Sequence, residues 1–315
     1  MENELNGSDG SQASGRSYSP VDSDFGEDRW VDVDGIATRY LEQGDGERVV
    51  FFHGGHFGSN MESITSRIWE FQAAALRSHR NVIAVDRLGQ GWTDNPARDE
   101  DYTMNMVVQH AIGFLDALGR GPYHLVGHSH GGQVVVRVAL ERPELVSTCT
   151  VVSAGTLSPD EGRGHIVHAN PPHPLLSRES QRWVFERYCY NPQIVTEAWL
   201  DEAWAAARLE KNATAVRKMN EEGLMNRQFL PTLGRHKAEC HRWILERGMP
   251  CPTLVCWGLN DPTAVVDNGR LLIEMFMAGQ SKTEVHAFGQ AGHFVFRDHP
   301  AAFSRMLDGF ISAHG

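Results

Sequence analysis

The stretch that decides the fold is Tyr123-His124-Leu125-Val126-Gly127-His128-Ser129-His130-Gly131, which runs into the helix-like segment Gly132 to Val138. An apolar strand that enters a helix through Gly-x-Ser-x-Gly is typical of a sharp turn with the serine at its apex. The flanking glycines leave room for the neighbouring strand and helix, because the apex residue is held in a strained conformation. Ser129 is therefore the first candidate for a nucleophile.

A second glycine-containing loop comes earlier in the chain. His53-Gly54-Gly55 directly follows the apolar run Val49 to Phe52. An amide donor in such a loop can approach a reacting carbonyl because glycine puts no side chain in the way. We predict an oxyanion hole made by the backbone N–H groups of Gly55 and His130.

An acid and a base follow the serine in chain order. Asp261, in Trp257-Gly258-Leu259-Asn260-Asp261-Pro262, comes at the end of an apolar strand, and His293 follows the last strand. The order Ser, Asp, His is the one expected when such a turn carries a catalytic triad. Asp160 is the alternative acid. His128 flanks Ser129 closely, but neighbours in a tight turn diverge from the central side chain and should not reach it as a base.

The chain alternates strand and helix apart from one long helical stretch. A turn at Asp34-Gly35 predicts an early hairpin. Apolar runs at 49–52, 81–85 and 148–152 are typical of strands buried on both faces of a doubly wound, mostly parallel sheet. Between the apolar run at 148–152 and the next strand, the sequence shows only helical patterns. This predicts a helical lid inserted after the sixth strand. The expected domains are a disordered tail over 1–28, an α/β core over 29–155 and 249–315, and the lid over 156–248.

Composition excludes several functions. The formal net charge of −11 speaks against nucleic acid or an anionic membrane as a partner. The chain shows no apolar run that could span a bilayer and no signal-peptide pattern, so we expect a cytoplasmic protein. Neither a cofactor nor a metal is expected, and the expected partner is a small-molecule substrate. The sequence leaves open whether the protein forms a homo-oligomer.

A zinc site is disfavoured because no ligand spacing supports it among the candidates His53, His56, His128 and His130.

With these motifs, the chain resembles the α/β-hydrolase superfamily, and within it the meta-cleavage-product hydrolases, which split carbon–carbon bonds in aromatic degradation. The resemblance rests on the His-Gly-Gly loop, on Val85-Asp86-Arg87-Leu88-Gly89-Gln90-Gly91-Trp92-Thr93-Asp94-Asn95-Pro96, on the doubled glycine after His130, and on the segment Trp257 to Asp261. It implies an α/β-hydrolase fold and a hydrolase with a Ser-His-Asp triad.

Three departures from the carbon–carbon enzymes bear on the substrate. Those enzymes carry asparagine before the nucleophile, tryptophan after the catalytic histidine and an arginine in the lid, where this chain has His128, Phe294 and Ala203. A better resemblance is to monoalkyl phthalate hydrolases, which cleave an ester beside an aromatic carboxylate. It implies ester hydrolysis through an acyl-enzyme on Ser129. Carbon–carbon cleavage is the alternative, and a non-catalytic ligand receptor on the same fold is a more distant one.

A phthalate monoester is an anion with an apolar alkyl arm. It requires a cationic or hydrogen-bonding group beside an apolar pocket. The candidates for binding it are His56, His128, Arg163, His165, Trp204 and Phe294. The lid offers three further cations in Arg178, Arg182 and Arg187, although for each of them a solvated surface charge is the simpler interpretation.

Overall fold

The structure is a computed structural model that describes residues 27–119, 121–279 and 281–315. The predicted tail over 1–28 therefore lies outside the described residues, except that the first strand already begins at Glu27. The described residues form eight strands: β1 (Glu27–Val33), β2 (Ile36–Gln43), β3 (Glu47–Phe52), β4 (Arg80–Val85), β5 (Tyr123–His128), β6 (Val146–Val152), β7 (Thr253–Gly258) and β8 (Thr283–Phe288).

Helices connect these strands on both sides of the sheet. The α-helices of the described residues are α1 (Glu70–Leu76), α2 (Met104–Leu118), α3 (His130–Glu141), α4 (Gly164–Val167), α5 (Arg178–Tyr188), α6 (Glu197–Ala207), α7 (Glu210–Val216), α8 (Leu230–Arg247), α9 (Val266–Ala278), α10 (Val295–Asp298) and α11 (Pro300–His314). Within these residues, no helix is both long and apolar enough to cross a membrane.

All eight strands belong to one sheet in the order β1-β2-β4-β3-β5-β6-β7-β8. The β1–β2 and β2–β4 pairs are antiparallel, and β3 to β8 pair in parallel. The predicted hairpin is confirmed, since Val33 pairs with Ile36 across the turn at Asp34 and Gly35. The mostly parallel, doubly wound sheet predicted from the sequence is likewise confirmed.

The core lies on both faces of this sheet. Every residue of β4, β5 and β7 is buried, as expected for parallel strands covered by helices on each side. Two apolar clusters result. One gathers α2, α3 and α9 around side chains such as Val135 and Phe276, and the other gathers α1, α5, α6 and α11 around Phe51 and Phe296. The loops at the carboxyl ends of the strands are thus attached to a well-packed core.

A buried ion pair fixes the loop after β4. Asp86 accepts hydrogen bonds from the Arg39 guanidinium (2.9 Å) and from the backbone N–H groups of Ser66 (2.6 Å) and Trp92 (3.0 Å). Burial opposes ionisation of Asp86, but Arg39 and these amides hold its pKa below the ordinary value. The segment that continues into Arg87 therefore leaves the sheet along a defined path.

Helices α4 to α8 stand between β6 and β7, and within the described part of that segment no strand interrupts them. Their position in the chain is that of the predicted insertion after the sixth strand. Its role as a lid and its limits at 156 and 248 stay predictions. All five cysteines are free and buried.

Candidate active site

Ser129 sits at the turn between β5 and α3. Its φ of 52° and ψ of −120° place a non-glycine residue in a strained conformation. A Cβ on Gly127 would lie 2.2 Å from the carbonyl oxygen of Gly131, and a Cβ on Gly131 would lie 2.3 Å from that of Phe52. Only glycine fits at these two positions, so the flanking glycines have the steric role expected from the sequence.

Asp261 and His293 come together across the ends of β7 and β8. Oδ2 of Asp261 lies 2.7 Å from Nδ1 of His293, and both residues are buried. The other carboxylate oxygen accepts hydrogen bonds from the N–H groups of Thr263 and Ala264, each at 2.9 Å. Because these donors favour the charged carboxylate, Asp261 accepts the Nδ1–H of His293 and leaves Nε2 of the ring as the basic atom.

Two neighbours orient the His293 residue. Its backbone N–H donates to the carbonyl oxygen of Tyr188 at 2.8 Å, and the Tyr188 ring stacks on its imidazole with centroids 5.2 Å apart. On the other side, Nε2 of His128 donates to the His293 carbonyl oxygen at 3.0 Å. Burial lowers the pKa of His128 well below its ordinary value, so this ring is neutral. His128 thus supports the position of His293 and carries no charge for a substrate.

The loop after β3 is held against the serine. A Cβ on Gly54 would lie 3.0 Å from the Cβ of Ser129, and Gly55 has a φ of 74°. The Arg87 guanidinium donates to the carbonyl oxygens of His53 (2.8 Å) and Gly55 (3.0 Å). This tether fixes the peptide that carries the predicted donor of Gly55.

The second predicted oxyanion donor is the N–H of His130. This residue is the first of α3, so its amide has no acceptor one turn earlier in the helix. An amide at a helix N-terminus also carries the positive end of the helix dipole. The position suits stabilisation of an oxyanion, and the role of both amides stays a prediction.

A cavity of about 580 Å³ opens above these groups. Ser129, His293, Gly55 and His130 line it together. It therefore brings the predicted nucleophile, base and oxyanion donors to one space. Its apolar wall consists of Met61, Ile64, Met225, Leu230, Leu233 and Phe294.

The predicted substrate-binding residues divide into two groups. The cavity lining includes His56, His128 and Phe294. It does not include Arg163, which is exposed at the start of α4, or Trp204, which packs under the guanidinium of Arg208 at 4.5 Å. The side chain of His165 lies outside the described part of the chain.

The other predicted cations point elsewhere. Arg178 pairs with Glu197 and with Asp201, and Arg182 pairs with the same Glu197. Arg187 lies over the ring of Trp183, with the guanidinium carbon 3.5 Å from its centroid. None of these three arginines lines the cavity within the residues described. The alternative acid Asp160 lies at the cavity rim, while His293 pairs with Asp261.

The polar residues of the cavity that the sequence analysis did not identify include Glu62, His168, Tyr188 and Lys237. The Tyr188 hydroxyl lies 2.8 Å from Nε2 of His168, which in turn lies 3.5 Å from a carboxyl oxygen of Glu62. Burial raises the pKa of Glu62. These residues come from separate loops and helices and share no motif, so the sequence holds no signal that would have grouped them.

The histidines once considered for zinc do not gather around one point. Among the described residues, no group of three or more His, Cys, Asp or Glu side chains is arranged to hold a metal ion. His53 instead accepts a hydrogen bond from the Arg87 N–H at 3.1 Å, and burial and the Arg87 charge lower its pKa to about 4. It is a structural element of the loop after β3.

Comparison with known proteins identifies the class. The Alpha/beta hydrolase family matches residues 49–306, and the chain belongs to that family. Among its relatives is the 2-hydroxymuconate semialdehyde hydrolase of Pseudomonas sp. (strain CF600), 27% identical over 288 residues, which cover 88% of this chain and 91% of that protein. Another is the 2-hydroxy-6-oxo-6-phenylhexa-2,4-dienoate hydrolase of Comamonas testosteroni, 28% identical over 89% of this chain and 93% of the relative.

A solved structure supports the same fold. The meta-cleavage product hydrolase CumD of Pseudomonas fluorescens IP01 superimposes with a TM-score of 0.72 at 22% identity, over 92% of this chain and 99% of that one. The predicted fold class and the closeness to meta-cleavage-product hydrolases are thereby confirmed, and the protein is a hydrolase. For the substrate, these relatives favour the carbon–carbon alternative over the predicted ester.

Proposed function

We propose that the protein is a serine hydrolase that cleaves a carboxylic ester through an acyl-enzyme, with a monoalkyl ester of an aromatic dicarboxylate such as phthalate as substrate. The observation that carries the proposal is the Asp261–His293 pair, 2.7 Å apart, whose histidine shares a cavity with the strained Ser129. Nucleophile, base and orienting acid are the parts that acyl transfer requires.

The reaction follows from these parts. His293 takes the proton of Ser129 as the serine oxygen attacks the ester carbonyl, and the N–H groups of Gly55 and His130 stabilise the oxyanion. His293 then protonates the departing alkoxide, which leaves as the alcohol. A water molecule, deprotonated by the same ring, attacks the acyl-enzyme and releases the acid. One ester and one water thus give one acid and one alcohol.

The lining of the cavity supports an ester over a carbon–carbon bond. A departing alkoxide needs only the proton from His293, whereas a departing carbanion needs further charge stabilisation. The position of the lid arginine of the carbon–carbon enzymes is Ala203, which is 1% exposed within an apolar cluster with Trp199 and Phe294. Within the described residues no arginine lines the cavity, and its one lysine, Lys237, donates to the backbone carbonyl oxygen of Asp160 at the rim.

The second candidate is a carbon–carbon hydrolase acting on a ring-fission product. It is supported by the relatives, which at 25 to 28% identity are hydrolases of such compounds by name. It uses the same Ser129, Asp261 and His293. The two candidates therefore differ in substrate and not in the position of the chemistry.

Two assays separate them. Purified protein should release alcohol and phthalate from a monoalkyl phthalate, followed by chromatography, and should leave a yellow ring-fission product unbleached. Rapid bleaching without ester cleavage would establish the carbon–carbon candidate. A fluorophosphonate probe should label the wild type and Ser78→Ala, an exposed serine outside the cavity, but not Ser129→Ala. An unlabelled wild type would instead indicate a non-catalytic receptor.

A further inference from the structure

Lys237 is a cation in the cavity that has no acid partner among the described residues. It lies on α8 with its side chain half-buried, and its ammonium donates to the backbone carbonyl oxygen of Asp160 at 3.2 Å. Among the described residues, no carboxylate oxygen lies within 4.0 Å of this ammonium. It is also the one lysine or arginine side chain that lines the cavity in that part of the chain.

Several other cations of the helical insertion are paired with acids. Arg178 and Arg182 share Glu197, and Lys218 binds Asp99 at 2.5 Å. All of these pairs lie away from the cavity. Lys237 differs from these paired cations in that it lines the cavity and has no carboxylate within 4.0 Å among the described residues.

The surroundings of Lys237 favour an anion as its partner. Burial lowers the pKa of this lysine, whereas the charges of Glu161 and Asp160 act in the opposite direction without forming an ion pair. Asp160 and Glu161 are exposed at the rim, where water screens them. An anion that entered the cavity would give the ammonium the charged partner that the protein does not supply.

We propose that Lys237 binds the free carboxylate of the substrate and thereby selects anionic esters over neutral ones. The proposal rests on the proposed function, since it names the group that recognises the second carboxylate of a dicarboxylate monoester. With the carboxylate at Lys237 and the acyl carbon at Ser129, the alkyl arm is left to the apolar wall of Met225, Leu230 and Leu233. Lys237 takes the role for which the sequence analysis named Arg163 and His165 among its candidates.

The test compares two esters with the same alkyl group, a monoalkyl phthalate and the corresponding benzoate, which lacks the second carboxylate. Loss of a hydrogen bond to a charged group lowers kcat/KM by about 10- to 100-fold. Lys237→Met should therefore lower the phthalate-to-benzoate ratio of kcat/KM by that factor, mainly through KM. Lys237→Arg should retain most of the ratio because it keeps the charge.

A matched control is Lys282→Met, which removes the same charge from an exposed position outside the cavity and should leave the ratio at the wild-type value. An equal loss on both esters in Lys237→Met, or an unchanged ratio, would overturn the proposal. Direct binding keeps it separate from the proposed function. Calorimetry with phthalate itself needs no turnover, and unchanged affinity in Lys237→Met would overturn the role of Lys237 even if neither ester is cleaved.

Discussion

A substitution of Arg87 tests the loop after β3, which carries the predicted oxyanion donor of Gly55, without changing Ser129, Asp261 or His293. Its guanidinium holds the carbonyl oxygens of His53 and Gly55, and no carboxylate of the described residues lies within 4.0 Å of it. We expect Arg87→Met to lower kcat strongly while changing the free energy of unfolding little. The hydrogen bonds of Arg87 stabilise the fold and its buried charge destabilises it, so the loss of both changes the free energy of unfolding little. The loop after β3, in contrast, only loses hydrogen bonds that hold it in place.

The magnitudes follow from the contacts of Arg87. Hydrogen bonds from a charged donor contribute about 1.5 to 3 kcal/mol each, and two are lost. Burial lowers the pKa of Arg87 to about 9. This shift corresponds to roughly 5 kcal/mol against the charged form, and that cost is removed as well. The net change in unfolding free energy should stay below about 2 kcal/mol. Misplacing the Gly55 donor should lower kcat by about 100- to 1000-fold.

The assay is steady-state hydrolysis of an ester by wild type and variant, with urea unfolding of both proteins at the same pH. Arg48→Met is the matched control, because Arg48 also donates to two backbone carbonyl oxygens, those of Leu118 (3.1 Å) and Gly119 (2.6 Å), away from the cavity. It should leave kcat unchanged. A kcat of Arg87→Met within about threefold of wild type would refute the role given to the tether. A global loss of folding would show that Arg87 is chiefly structural.

Two further predictions concern stability. The raised pKa of buried Glu62 means that wild-type stability falls as the pH rises above the ordinary glutamate value and through the raised one. Glu62→Gln should remove this fall. Urea unfolding should therefore give the variant a higher free energy of unfolding, relative to wild type, at pH 8 than at pH 4. An equal difference at the two pH values would contradict the argument. Gly131→Ala places a Cβ 2.3 Å from the carbonyl oxygen of Phe52 and should cost at least about 1 to 3 kcal/mol. Gly309→Ala, in an open helical position, should instead gain up to about 1 kcal/mol, and thermal unfolding measures both.

The strands and core helices were predictable because local patterns decide them. The apolar runs at 49–52 and 81–85 lie within β3 and β4. In the insertion, the sequence over 192–222 has an amphipathic pattern, but this stretch does not form one helix. Leu209 adopts an extended conformation and separates α6 from α7. Periodicity shows which face of a segment is apolar, but it does not show where a single residue interrupts it.

The triad candidates were predictable because chain order and strand ends bring them together. The rest of the cavity was not, because its polar residues meet only through packing of the insertion on the core. Glu62 belongs to the loop before α1, Tyr188 ends α5, and Lys237 lies in the middle of α8. The sequence shows that Arg178 and Lys237 are both cations in helices. Only the structure shows that the first pairs with Glu197 and that the second faces the cavity.

The environment of the histidines also supports the prediction that His293 is the base. Several other histidines surround the serine, and proximity in sequence favours some of them. Burial lowers the pKa of each member of this set, which consists of His53, His56, His128 and His130. A buried imidazole without an acid partner is a poor proton acceptor, because its charged form is not stabilised. His293 has the Asp261 carboxylate at 2.7 Å, which in the proposed reaction would stabilise the imidazolium formed as Ser129 attacks. In that reaction, the position of a single carboxylate directs proton transfer to one ring.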